Sequence, residues 1–246
     1  MKIQFGRAIT RVGDPLEKIP LERLYAGIRK PKQAFRDFVL QLRAVRSLDE
    51  RKYRQLKTQL PYFVGGIFHP AVRRRENFAH LRYFLLDLDH LAAGGFERPA
   101  LAEQLRALPE VLLLFTSPGG DGLKVMFRLK EPCSDSGLFS GFYKVFARRF
   151  AEKNGLGEVV DFQTSDVTRA CFVSYDPEAF FRPDATPVDL EAFLPALDFG
   201  EAEREIKQAE AFLKEKRAER TPPKKVGPAN EVLLKIKQKL NPDYRQ

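Results

Sequence analysis

Asp87 and Asp89 close the apolar run Tyr83-Phe84-Leu85-Leu86 in the order Asp-Leu-Asp. Residues two apart on a strand point to the same face, so the two carboxylates share one side while Leu88 turns to the core. Like charges so placed repel each other unless a cation neutralises them. Mg²⁺ or Mn²⁺ meets that need, being a hard ion that takes carboxylate oxygens and substrate phosphates together. The plainer alternative is a strand that ends in two solvated loop acids. Four apolar residues directly before the pair favour the metal site.

A second group lies in FTSPGGDGLKVMF, where a turn with three glycines joins two strands and Lys124 stands near the start of the second. Glycines let backbone N–H groups line an oxyanion, and a lysine beside them supplies a point charge for phosphate. An ordinary hairpin connection also reads this way. With its strand beside the Asp87 strand, Lys124 faces the same metal-bound triphosphate. The third group is GEVVDFQTSDVTRACFVSYDP, in which Asp161 follows an apolar strand while Asp166 and Arg169 precede another. A third carboxylate completes a two-metal centre of the kind used in phosphoryl transfer, and Arg169 can grip a γ-phosphate. Against this stands a turn acid paired with a surface arginine. Asp161 is preferred as the third ligand because it directly follows Glu158-Val159-Val160, and Asp166 is the alternative.

The remaining polar features say less. His69, His80 and His90 show no zinc-ligand spacing. Arg73, Arg74 and Arg75, close to Tyr62 and Phe63, read as a contact to a nucleic-acid backbone or as a solvated face.

These groups must be held by strands and helices, and the pattern supplies them. Lys32 to Ala44 places Phe35, Phe38, Val39 and Leu42 at helical spacing, and Leu48 to Gln59 reads as a second charged helix. The first third is therefore mostly helical, followed by LPYFVGGIFHP as one short aromatic strand interrupted at Gly65-Gly66. From Arg82 onward strand and helix alternate: RYFLLDLDHL, a helix near Arg98 to Leu108, EVLLLFTS and LKVMFRL. A helix over Ser136 to Lys153 carries Phe139, Phe142, Tyr143, Phe146 and Phe150 on a core face, and strands follow near Gly157 to Phe162 and Ala170 to Ser174. The order is βαββαβ plus an extra strand, the split-βαβ arrangement of ferredoxin-like or RNA-recognition-like sheets. Such a fold alone fixes no function.

Composition narrows the class. The 246 residues are 43% hydrophobic, enough for a packed core. Lysine and arginine number 42 against 33 acidic residues, and the net charge of +9 favours a polyanionic partner, nucleic acid first. Cys133 and Cys171 build neither a disulfide framework nor a zinc site. The start has no signal-peptide pattern and no stretch is long enough to span a membrane, so a cytoplasmic protein with no membrane partner is expected.

Taken together, the Asp-Leu-Asp pair, Ser117 and Lys124 on a glycine-rich hairpin, and a late hydrophobic-Asp with an arginine eight residues on resemble the archaeo-eukaryotic primase superfamily. The resemblance covers about Lys57 to Pro177. Within that superfamily the chain looks like bacterial primase-polymerases related to the virulence-protein-E N-terminal family, including those associated with CRISPR adaptation genes. The resemblance implies an α+β fold with a modified RNA-recognition-like catalytic sheet and an additional N-terminal α/β subdomain. It implies Asp87, Asp89 and Asp161 as ligands of Mg²⁺ or Mn²⁺, and Ser117, Gly122, Lys124 and Arg169 as contacts to the incoming nucleotide. Lys124 stands where many members carry histidine; the charge is kept and the hydrogen-bond geometry changes.

The activity implied is a template-dependent nucleotidyltransferase, a DNA primase and polymerase, acting on single-stranded DNA template and primer with nucleoside triphosphates. CRISPR adaptation proteins, mobile-element replication or a further C-terminal domain are the implied wider setting. The expected organisation is a catalytic domain over 1–200, with an N-terminal subdomain to about residue 80 and the sheet over about 81–195, then a charged helical tail or linker over 201–246. Two other classes fit some of the residues. A haloacid-dehalogenase-type phosphohydrolase would use Asp87 as nucleophile and Asp89 as acid/base, although Leu91 and the long preceding segment fit it poorly. A non-catalytic RNA-recognition-type module would want exposed aromatics where this chain has aspartates.

Overall fold

The computed structural model describes residues 1–161, 165–194 and 199–220. The chain runs through β1 (Lys2–Gly6), β2 (Glu17–Pro20), α1 (Leu21–Arg29), α2 (Gln33–Leu48), α3 (Glu50–Lys57), β3 (Tyr62–Val64), β4 (Gly66–Phe68) and β5 (Phe78–Asp89). It continues through α4 (Arg98–Ala107), β6 (Leu113–Thr116), β7 (Gly122–Cys133), α5 (Ser136–Asn154), β8 (Val160–Asp161), β9 (Ala170–Phe172), β10 (Phe180–Phe181) and α6 (Phe199–Arg220).

Two antiparallel sheets result. The larger has the order β10-β6-β7-β5-β4, with β8 also paired to β5. Strand β5 is its axis: β7 runs along one edge, while β4 and β8 share the other edge at opposite ends. The smaller sheet, β2-β1-β3-β9, faces it. Alternation along β5 decides which residue meets which layer. Phe84, Leu86 and Leu88 pack with the helices, while Tyr83 and Leu85 turn toward the smaller sheet.

Helix α5 covers the helical side of β5 and β7. Asp135 caps its start, accepting from the backbone N–H groups of Gly137 and Leu138 at 2.7 and 2.9 Å, and Gly155 ends it at φ 68°. The phenylalanines expected on one face lie there: Phe146 meets Phe84 edge-on at 4.9 Å and Phe127 at 5.0 Å between ring centres. Helix α6 lies against α5, its Ile206 over Gly141, with Arg148–Glu205 and Lys144–Glu210 pairs of 2.6 Å each. Residues 205–210 of the expected tail thus lie against α5, and the linker and short helix read over 221–246 lie outside the described residues. Among the described residues, no helix is long and apolar enough to cross a membrane.

The structure departs from the sequence reading at the N-terminal end. LPYFVGGIF is two strands in different sheets, because the chain passes from β3 to β4 at Gly65. A Cβ there would sit 2.0 Å from the Tyr83 carbonyl oxygen, so only glycine allows this approach. Strands β1 and β2 lie where periodicity alone reads mostly helix, although the N-terminal α/β subdomain implied by the resemblance calls for strands. The wholly buried Gln4 interrupts the apolar pattern of β1; it donates to the Phe68 carbonyl at 3.1 Å and accepts from the Phe68 N–H at 2.8 Å. Strand β9 joins the smaller sheet through β3, and β8 pairs with β5 in the larger one.

Candidate active site

The face of β5 and β7 that carries Tyr83, Leu85 and Met126 also carries Asp87, Asp89 and Lys124 at its far end. Antiparallel register sets Asp87 opposite Lys124 on one side and opposite Asp161 of β8 on the other. The Asp89 N–H donates to the Val159 carbonyl at 2.8 Å and holds the strand end to the chain leading into β8. His90 then takes a left-handed conformation at φ 58° and turns the chain away. Carboxylate oxygens of Asp87, Asp89 and Asp161 consequently all lie within 4.8 Å of one another.

Electrostatics at this cluster are uneven. Burial, followed by the neighbouring Asp161 carboxylate, holds the Asp89 carboxyl above the ordinary aspartate value of 3.8. Asp87 is only 8% exposed, and its Oδ2 is ion-paired with the Lys124 ammonium. Its other oxygen, Oδ1, is buried and has no hydrogen-bond partner among the described residues. Burial pushes Lys124 down to about 8, which leaves it charged at neutral pH. An orphaned carboxylate oxygen and two further carboxylates, one of them raised, form a donor set of hard oxygens that fits one or two divalent cations.

A cleft of about 450 Å³ opens beside the cluster, between the two sheets. Asp87, Lys124, Lys57, Arg73, Arg169 and Cys171 are among the residues on its walls. Arg169 reaches back to Asp161, Nη2 to Oδ2 at 3.5 Å. Asp166 also lines the cleft, yet its carboxylate is spent within its own turn, accepting from Thr168 N–H at 2.9 Å and from the Thr168 hydroxyl at 2.7 Å. It stands outside the carboxylate cluster.

The glycine-rich turn differs from an open anion cradle. Ser117 and Gly122 close it, with the Ser117 N–H donating to the Gly122 carbonyl at 2.9 Å. Gly122 has no room for a side chain: a Cβ would lie 2.5 Å from the Leu88 carbonyl oxygen and 3.0 Å from Asp89 Oδ1. The turn is clamped from α2, where Arg46 donates to the Gly119 carbonyl at 3.0 Å and Arg43 to the Ser117 and Pro118 carbonyls at 3.4 Å each. Its glycines therefore serve close packing against β5 and α2.

The arginine run also divides. Arg73 folds into the cleft, its guanidinium 5.6 Å from the Tyr62 ring centre and donating to the Thr168 carbonyl at 3.2 Å. Arg74 and Arg75 are exposed. The three are not one patch. Sequence reasoning passed over Lys57, Arg43 and Arg46, which look like solvated charges on helices and acquire a setting only when α2 and α3 pack beside the turn.

A family model described as BT4734-like, N-terminal domain, matches residues 55–181, just over half of the chain, and this span holds Asp87, Asp89, Ser117, Lys124, Asp161 and Arg169. No curated protein matches the chain in sequence. Two solved structures are similar. The AEP domain of cyanophage S-2L primase-polymerase shares 14% identity at a TM-score of 0.40, over 80% of this chain and 89% of that one. The polymerase domain of Mycobacterium tuberculosis ligase D, in complex with DNA, shares 19% identity at a TM-score of 0.33, over 65% of this chain and 63% of that one. Both scores are below 0.5, and neither likeness bears on function.

Proposed function

The chain belongs to the BT4734-like N-terminal domain family, and from the site built within the matched span we propose that it is a template-dependent nucleotidyltransferase, a primase-polymerase of the archaeo-eukaryotic type. One observation carries the reading: three carboxylates from two adjacent strands converge within 4.8 Å at the edge of a cation-lined cleft. The pairing β8-β5-β7-β6 is consistent with the reading, since two of the three acids stand on β5 and the third on its neighbour β8.

Asp87, Asp89 and Asp161 would hold Mg²⁺ or Mn²⁺, which when bound supplies charge neutralisation and a more acidic attacking hydroxyl. The chain's own residues do the rest. Lys124 and Arg169 place positive charge beside the acids, where the phosphates of a nucleotide would lie. The turn closed by Ser117 and Gly122 fixes the end of β7 and with it the position of Lys124. The sheet layers wall the cleft on two sides and limit water. In the reaction, the oxygen of a primer 3′-hydroxyl bonds to the α-phosphorus and the bond from that phosphorus to the bridging oxygen breaks. Pyrophosphate leaves with the electron pair, and the hydroxyl proton passes to solvent.

A purely binding module is disfavoured because Tyr83, Phe84 and Phe127 on the central strands are all buried and offer no stacking platform. The test is extension of a primer on single-stranded DNA with labelled nucleotides and Mg²⁺ or Mn²⁺. Products that lengthen with template and vanish in Asp161→Asn are expected. Template-independent phosphate release from small phosphoesters, without extension, would replace this reading with the phosphohydrolase one.

A further inference from the structure

Lys57 is the last residue of α3 and reaches the wall of the same cleft. Its ammonium lies 5.7 Å from the ring centre of Tyr53, one helical turn back, and 5.5 Å from that of Phe172 on β9. Both rings are held in place. Tyr53 is buried beside Gly119 of the glycine-rich turn, and Phe172 is paired into the smaller sheet opposite Tyr62. Two aromatic groups from different parts of the chain thus fix where this charge sits without neutralising it.

The other cations on the wall are committed. Lys124 is paired with Asp87, Arg169 with Asp161, and Arg73 with the Thr168 carbonyl. Among the described residues, the Lys57 side chain alone of these four has no ion-pair or hydrogen-bond partner. An ammonium held on the wall of the cleft that Asp87 also lines, with no counter-charge among the described residues, is suited to an anion that the substrate brings. A triphosphate brings the most charge into this space, and a lysine recognises phosphate as a point charge.

We propose that Lys57 binds the outer phosphates of the incoming nucleoside triphosphate and sets the preference for triphosphate over monophosphate. The inference rests on the nucleotidyltransferase reading above.

Lys57→Met keeps the side-chain stem against the two rings and removes the charge, and Lys57→Arg restores the charge. Binding of a dideoxynucleoside triphosphate and of its monophosphate is measured by calorimetry with Mn²⁺, alongside nucleotide KM, kcat and single-stranded DNA affinity. In Lys57→Met the triphosphate should bind about ten- to a hundredfold more weakly and nucleotide KM should rise in step, as for loss of a charge-assisted contact. Monophosphate and DNA affinity should hold, and Lys57→Arg should recover most of the loss. Unchanged triphosphate binding overturns the assignment, as does an equal loss of both nucleotides or a loss confined to DNA. If the wild-type chain neither binds triphosphates nor extends primers, it is the nucleotidyltransferase reading that fails.

Discussion

Lys124 and Asp87 face each other across the β5–β7 ladder and form an ion pair in which each residue is only 8% exposed. The first candidate metal ligand is thus already held by a lysine, whereas Asp89 lies against a second carboxylate, that of Asp161. The two members of the Asp-Leu-Asp pair should therefore respond in opposite ways to substitution.

Asp87→Ala strands a buried ammonium and should destabilise the metal-free protein by roughly 3–5 kcal/mol, the range for breaking a buried pair from one side. Because the folded state already depresses the Lys124 ammonium below its ordinary 10.5, the neutral amine is the form it tolerates, and the loss should shrink as pH is raised. The double variant Asp87→Ala with Lys124→Met should recover much of the stability. Thermal melts over a pH series check this, and a single variant as stable as wild type at neutral pH contradicts the pairing.

Asp89 carries the opposite sign. Its folded-state value lies above the ordinary 3.8, so its contribution to stability is full below the unfolded value and is lost as pH rises through the folded one. At neutral pH the charged carboxylate opposes folding, and Asp89→Asn should melt at a higher temperature than wild type in metal-free buffer. The difference should vanish in acid. The same shift makes protons compete with metal early: as pH falls, Mn²⁺ affinity should begin to weaken at a higher pH than it would for an isolated aspartate. Calorimetry over a pH series in which the loss begins no earlier than for an unperturbed aspartate would sink the argument.

Single-stranded DNA binding should weaken steeply with salt, given the net charge of +9. Arg74→Ala and Arg75→Ala, at exposed positions, should each lower the slope of log affinity against log salt by up to about 0.7, the value for one phosphate contact on a single strand. Arg73→Ala should instead cost stability, since that side chain is tied to Thr168 and Tyr62 inside the cleft. Equal effects of all three on the salt slope would restore the single-patch view.

Much of this arrangement is legible in the sequence where one period runs long enough. The aromatic face of α5, the apolar run of β5 and the same-face placement of Asp87 and Asp89 follow from periodicity alone. Asp161 and Asp166 were separable only as the residue after an apolar strand and the residue in a turn, a local distinction that the pairing of β8 with β5 turns into a difference of position. What stayed hidden depends on partners far along the chain. Lys57 reads as one more charge on a charged helix until Phe172 arrives from β9. The exchange between Lys124 and Asp87 requires the β5–β7 register, and β1 is masked by Gln4, a polar residue whose burial is satisfied by Phe68 of β4.

The approach of Gly65 to the Tyr83 carbonyl has a mechanical side. At this point the thread that ends one jaw of the cleft begins the other, with a single residue between β3 and β4. Jaws stitched so tightly cannot swing open as lobes on a hinge, because opening would peel β3 or β4 from its neighbour. The spacing of the two sheets at this end of the cleft is therefore set by that one-residue link. A methyl group added at Gly65 would widen that spacing at its root, well away from any charge in the site.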